Sequence, residues 1–294
     1  MAKVTSSLIP DNTTDAGFRA WGLGISTALQ SLFTFVTQTG EINWGTVVKP
    51  ASTNVKSGFE IYAFNDSLQA TSPLFIKIEY GSAAGSAVFP AVYMSVGKSV
   101  NGAGVLGGVM FTQSAVIACN GTLTLTPKNC YFGNGDGSCL VMALWPTDVG
   151  MQSSGSYVAL ERSRNVNGTP TGDAVWRQFS GTTTNTGDIN ECCDYVAETR
   201  NTLAFGAVPI LYPLTTAVTL SNGTSTPVFT GSVLTPQRVS WVPTAILGCS
   251  ISDLGTGVVA SALIGGIDYL SVGDAGTYSD TGKQQYATCL LRWD

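Results

Sequence analysis

The chain has 294 residues without a single histidine, and only 11% of its residues are charged. Histidine most often moves protons or binds metals near neutral pH, so Ser-His-Asp and Cys-His nucleophiles, His-ligated zinc and HExxH sites are excluded, while carboxylate-only catalysis stays open. The net charge of −5, without any run of basic residues, argues against a nucleic-acid footprint, and 44% hydrophobic residues mark a chain that folds rather than one that stays disordered.

The first residues lack the basic-then-apolar pattern of a secretory signal. The apolar stretch 257–267 is too short to span a bilayer and is bracketed by Asp253 and Asp268. These features predict a soluble protein made in the cytoplasm, with no membrane insertion. Residues 1–13 read as an extended arm. A helix then starts at Thr14 or Asp15, either of which can cap free backbone N–H groups. Phe18, Trp21, Ile25, Leu29, Leu32 and Val36 recur at spacings of three and four and form one apolar stripe. Arg19, Ser26, Thr27, Gln30 and Thr34 are assigned to the remaining surface. Gly22 and Gly24 weaken this helix by about 1 kcal/mol each relative to alanine, and Gly40 stops it, giving an expected span of 15–39. The stripe Phe18, Trp21, Ile25, Leu29 and Leu32 needs a partner, either the chain's own β-structure or a neighbouring subunit.

After Gly40 the apolar period becomes two. Leu74, Ile76, Ile78 and Tyr80 alternate with Phe75, Lys77 and Glu79 as a half-buried strand. Residues 58–64 read as its hairpin partner, joined through Asn65-Asp66 and a loop ending at Pro73. Val92, Met94 and Val96 alternate again, as do Leu123 and Leu125, while 140–145 and 157–160 are apolar runs of strand length. Asn-Gly occurs at Asn101, Asn120, Asn134, Asn167 and Asn222. This dipeptide supplies the positive φ angles of tight hairpin turns, so five copies favour antiparallel pairing. Three of them match glycosylation acceptors, but without a secretion signal they read as turns only. The expected organisation is an arm and amphipathic helix over 1–40 and an antiparallel β domain over 41–294, with the Thr-rich stretch 181–187 as a candidate divide between two lobes.

Seven cysteines (Cys119, Cys130, Cys139, Cys192, Cys193, Cys249 and Cys289) show neither a CxxC pair nor zinc-ribbon spacing. They are either buried thiols acting as small hydrophobes or sites of disulfides formed after exposure to an oxidising medium. Cys130 and Cys139 flank a glycine-rich turn and are the candidate disulfide pair.

Other motifs are weaker. The run Asn134-Gly135-Asp136-Gly137 offers one carboxylate where a calcium loop needs several oxygen ligands, so it reads as a turn. Glu161-Arg162-Ser163-Arg164 places charges at a strand end, where solvated or interface ion pairs are ordinary. Asp188, Glu191 and Asp194 form the densest acidic cluster, and paired carboxylates cleave glycosidic bonds when correctly spaced, but nothing in the sequence sets that spacing. Gly102, Gly104, Gly107 and Gly108 lack the Lys-Ser/Thr signature of a phosphate loop. The scattered tryptophans, Trp44, Trp145, Trp176, Trp241 and Trp293, read mostly as core, with one or two left for a carbohydrate platform. No catalytic, cofactor-binding or metal-binding residues are assigned, and no cofactor is expected.

The segment DAGFRAWGLGISTALQ beginning at Asp15 resembles the start of a family of structural proteins from tailed double-stranded-DNA bacteriophages. The likeness continues through GFEIYAFNDSLQATSPLFIKIEYGS from Gly58, YVALERSR from Tyr157 and NGTPTGD from Asn167. It covers the first 170 residues, and the family names no catalytic residues to carry over. The resemblance implies a virion component that binds copies of itself and other virion proteins.

The combined expectation is a mainly antiparallel β-sandwich or jelly-roll-like fold with one N-terminal helix. Its expected role is non-enzymatic, in the tail, baseplate, collar or an attached fibre of a phage, where low charge density suits surfaces buried against neighbours. The alternatives are an adhesin or tailspike-type depolymerase whose partner is a host-surface glycan, and a capsid decoration protein.

Overall fold

Period-two apolar patterning dominates the architecture. In a computed structural model the described residues are 3–83, 88–112, 117–118, 125–144, 156–164, 169–180, 189–196, 199–203, 210–219, 221, 223, 225–232, 246–249, 259–273 and 288–294. The first half runs β1 (Lys3–Leu8), α1 (Asp15–Leu32), β2 (Thr34–Phe35), β3 (Lys56–Ala63), β4 (Phe75–Ser82), β5 (Pro90–Val100), β6 (Leu106–Thr112), β7 (Ile117–Ala118), β8 (Lys128–Gly133) and β9 (Cys139–Leu144). It continues with β10 (Ser156–Arg164), β11 (Pro170–Ser180), β12 (Ile189–Val196), β13 (Thr199–Leu203), β14 (Ile210–Thr219) and β15 (Ser225–Ser232). The last strands are β16 (Ile246–Cys249), β17 (Val259–Ile264), β18 (Ile267–Gly273) and β19 (Thr288–Arg292).

These strands form three sheets, ordered β1-β8-β9-β10-β11-β12-β13, β2-β3-β4-β5-β6 with β7 also on β5, and β14-β15-β16-β19-β18-β17. All pairings among the described residues are antiparallel. The hairpin β3–β4 forms where the alternation predicts it, with Tyr62 opposite Ile76 and Glu60 opposite Ile78. Asn101 opens the β5–β6 turn and Asn134 the short 3₁₀ turn between β8 and β9. Asn120, Asn167 and Asn222 lie outside the described residues.

The first two sheets pack as a sandwich. One inner face carries the cross-strand ladders Phe132–Met142–Val158 and Leu140–Leu160–Trp176. The other carries Tyr62–Ile76–Val96–Phe111, and these side chains belong to one buried cluster. The Phe111 and Trp176 rings meet across the two layers at 5.7 Å. Phe18, Trp21, Ile25, Leu29 and Leu32 of α1 are buried in the same cluster, each contributing about 1.5–3 kcal/mol by leaving water.

The helix is shorter than the spacing predicts, ending at Leu32 instead of Thr39. Phe33 turns to extended geometry (φ −127°) while its N–H still closes on Leu29. The chain then enters β2, where Thr34 and Phe35 face Ala63 and Tyr62, and the Val36 N–H donates to the Ile61 carbonyl. An aromatic and β-branched run finds a sheet edge here, and pairing outweighs helix continuation. Val36 therefore leaves the helical stripe, and Gly40 sits in a later turn with φ +81°.

Strands β9 and β10 differ from the half-buried pattern of β4. Cys139 through Ala143, and Val158 through Ser163, are all buried, so at β9 and β10 both faces of the first sheet are covered, whereas β1 alternates between exposed and covered positions. At the Cys139 end, Arg292 of the third sheet comes up beside the Cys139 thiol, the two side chains meeting over Gly135.

Candidate functional site: buried charges between the layers

Glu60 sits on the inner face of β3 and is 3% exposed. The Ser26 hydroxyl of α1 donates to its Oε1 at 2.8 Å and the Trp44 indole N–H to the same oxygen at 3.0 Å. The hydroxyls of Tyr62 and Tyr80 donate to Oε2 at 2.7 Å each, and Gln30 donates to Ser26 Oγ at 3.0 Å. The four donors to Glu60, with Gln30 behind Ser26, come from α1, the segment after β2, β3 and β4. None is a cation; the carboxylate is held by neutral donors, which suffices only when its lone pairs are well occupied. Burial, joined by the nearby Glu60 carboxylate, raises both tyrosine hydroxyls well above their ordinary range, so they stay protonated as donors.

Ser26, assigned to the helix surface by its spacing, is wholly buried. Gly22 explains how Trp44 approaches: a Cβ there would lie 2.1 Å from the Trp44 ring. Leu8 of β1 lies over Gly24 in the same way, at 2.3 Å. The glycines that cost the helix propensity open the grooves into which Trp44 and Leu8 fit.

Arg162 of β10 is wholly buried and forks onto Asp66, with Nε donating to Oδ2 and an outer guanidinium nitrogen to Oδ1 at 3.0 Å. The second outer nitrogen donates to the Ser72 carbonyl at 2.9 Å, and the guanidinium lies 5.7 Å from the Phe64 ring centroid. Asp66 and Ser72 belong to the β3–β4 connection, so this arginine joins the first sheet to the second. Of the two expectations for 161–164, solvated or interface ion pairs, the solvated one is corrected for Glu161, Arg162 and Ser163, which are buried where both faces of β10 are covered, and Arg162 forms an ion pair between two sheets.

A third cluster joins the first and third sheets. Arg292 of β19 donates from Nε to Asp294 Oδ1 at 2.7 Å and from an outer nitrogen to Asp136 Oδ2 at 3.2 Å. The Gly135 N–H donates to the Asp294 carbonyl at 3.0 Å. Gly135, with φ +39°, leaves no room for a Cβ, which would meet Cys139 Sγ at 2.3 Å. Nearby, Lys3 of β1 pairs with Asp268 of β18 and lies 4.4 Å from the Trp293 ring centroid. Trp293 also meets Tyr131 edge-on at 5.7 Å.

The proposed pair Cys130 and Cys139 does not form. Cys130 stands opposite Leu144, five residues from Cys139, a separation of about 17 Å along a strand rising about 3.4 Å per residue and well beyond disulfide reach. The turn abuts Cys139 while Cys130 lies farther down β8, so their spacing in sequence is not symmetric about the hairpin. Both are buried thiols, and burial pushes the Cys139 thiol up despite the opposing pull of Arg292, which keeps it protonated and a poor nucleophile. Side-chain positions of the other five cysteines lie outside the described residues.

The Asn134–Gly137 run forms a turn whose Asp136 carboxylate accepts from Arg292 and Ser138. The glycine-rich run 102–108 builds the β5–β6 hairpin, and Gly104 (φ +71°) makes room for the Phe59 ring. In β12, Glu191 falls opposite Gln178 and Asp194 opposite Val175; Asp188 lies outside the described residues. Trp21 and Trp176 are buried, and Trp44 and Trp293 half-buried; Trp145 and Trp241 lie outside the described residues. No group of three His, Cys, Asp or Glu side chains among the described residues is placed to hold a metal, and no described helix is long and apolar enough to cross a membrane.

No protein-family model, curated protein or solved structure matches this chain. The sequence pattern singles out neither Glu60 nor the roles of Ser26, assigned to the helix surface, and Trp44, grouped with the core tryptophans. The available signal was a lone glutamate inside the otherwise uncharged, largely apolar run 59–64.

Proposed function

We propose that this chain is a non-enzymatic structural component of a tailed-phage virion that assembles with copies of itself and other virion proteins in the tail, baseplate, collar or an attached fibre. The observation that carries the structural part is how its buried charge is used. Glu60, Arg162 and Arg292 each tie together elements remote in sequence, with their hydrogen-bonding groups directed at protein partners. Such fasteners form in a reducing cytoplasm and need no later oxidation, which suits a particle protein that must be sturdy on assembly. The virion part rests on the resemblance of the segments beginning at Asp15, Gly58, Tyr157 and Asn167 to phage structural proteins.

Gold-labelled antibody against the chain, applied to intact purified particles of the encoding phage and imaged by electron microscopy, tests this reading. Label at the tail, baseplate, collar or fibres is the expected result. Label over the capsid would point to a decoration protein, and absence from particles would overturn the proposal. Incubation of the purified protein with host capsule or lipopolysaccharide should release no new reducing ends; released oligosaccharide would replace the structural role by a depolymerase.

A further inference from the structure

We propose that Asn101 is a self-modification site, converted by its own hairpin through a cyclic imide to aspartate and isoaspartate. Asn101 and Gly102 are both exposed at the β5–β6 turn. The Asn101 side-chain Oδ1 accepts two backbone N–H groups, from Ala103 at 3.0 Å and Val105 at 2.9 Å. The Gly102 N–H makes no hydrogen bond among the described residues, and open space surrounds the place where a Cβ would stand on Gly102.

The chemistry uses those features in order. The Gly102 nitrogen, on losing its proton to solvent, attacks Asn101 Cγ; the new N–C bond closes a five-membered ring. Negative charge develops on Oδ1, where the Ala103 and Val105 N–H groups already point, the arrangement that stabilises oxyanions elsewhere. The Cγ–Nδ2 bond then breaks and the amide leaves as ammonia, taking a proton from solvent. Water adds to one of the two imide carbonyls and reopens the ring as aspartate or isoaspartate. Net charge passes from −5 to −6, and an aspartate product keeps both N–H partners, now as charge-assisted bonds.

The same dipeptide at Asn134 is arranged in the opposite sense. Asn134 is buried, its Nδ2 donates to the Leu32 carbonyl at 2.9 Å, and its Oδ1 has no donor among the described residues. The Gly135 N–H, which would have to attack, is engaged by the Asp294 carbonyl. One chain therefore holds an assisted and a protected copy of one motif.

The test is incubation of the native protein in mildly alkaline buffer, followed by peptide mapping with mass spectrometry and isoaspartate detection, beside a free peptide spanning residues 98–105. Asn101 is expected to convert at least about tenfold faster than Asn134, a barrier difference of about 1.4 kcal/mol, and faster than Asn101 in the free peptide. Ala103→Pro, which removes one N–H donor at an exposed position, should bring conversion down to the peptide rate or below. Gly102→Ala, which the open space accommodates, should slow it further by hindering the attacking nitrogen. An intact Asn101 in folded protein while the peptide converts would overturn the proposal, and so would equal conversion at Asn101 and Asn134.

Discussion

The molecule buries a carboxylate and a guanidinium by different means. Glu60 is surrounded by four neutral donors, three of them hydroxyls that can rotate. Arg162 is locked in a planar fork against one carboxylate, with a main-chain carbonyl taking a further N–H. The Glu60 network spreads one charge over many partners, so each partner is individually replaceable. The Arg162 pair concentrates its compensation in Asp66, and loss of that partner strands a charge in a dry layer. The contrast shows how the same need, burying charge to join layers, yields one tolerant and one brittle fastening.

Asp66→Ala should have the largest effect, lowering stability by about 3–5 kcal/mol because the buried guanidinium loses its counter-charge; equilibrium urea unfolding measures this. Glu60→Gln should cost less, about 1–3 kcal/mol. The amide oxygen can keep Ser26 and Trp44, while Tyr62 and Tyr80 turn to accept from the new NH₂ group. A cost at Glu60 equal to that at Asp66 would erase the distinction between the two sites.

The Glu60 network also predicts alkaline sensitivity. Tyr62 and Tyr80 titrate from an ordinary value of 10.0 when unfolded and are raised in the fold, as Cys139 is from 9.0. Groups raised on folding contribute stability that is complete below their unfolded values and lost as pH climbs above them. Stability should therefore begin to fall above pH 9.0 and steepen above pH 10.0, by about 1.4 kcal/mol per pH unit for each such group. Tyrosinate absorbance from Tyr62 and Tyr80 should appear only with unfolding; early titration of both would show that water reaches the network.

The smallest expected effects come from the helix glycines. Gly22→Ala should destabilise by about 1–2 kcal/mol despite better helix propensity, because the methyl meets the Trp44 ring that serves Glu60. Gly24→Ala should fall within about 1 kcal/mol of wild type, since only the mobile end of Leu8 must move. Thermal melts of the two variants separate these outcomes.

Much of the fold was legible because its signals are local. The alternation around Ile76 and Ile78 gave the β3–β4 hairpin, and Phe18, Trp21, Ile25, Leu29 and Leu32 lie on one buried helical face. What escaped depends on contacts made after the layers stack. The helix end at Leu32 is decided by β2 pairing with Tyr62 and Ala63. Arg162 reads equally as a solvated or an interface charge until the β3–β4 connection, bringing Asp66, is laid over it. Gly22 and Gly24 register only as helix weaknesses until Trp44 and Leu8 arrive. Register defeated the Cys130–Cys139 pairing, because eight intervening residues specify a hairpin without specifying where its turn sits.

The claim that buried charges fasten the layers is tested most directly by a double-mutant cycle on Asp66 and Arg162. Urea unfolding of wild type, Asp66→Ala, Arg162→Met and the double variant yields their coupling energy. The account predicts coupling of about 2–3 kcal/mol, with the double variant more stable than Asp66→Ala alone, since removing the stranded charge relieves its cost. Additivity within about 0.5 kcal/mol would contradict it.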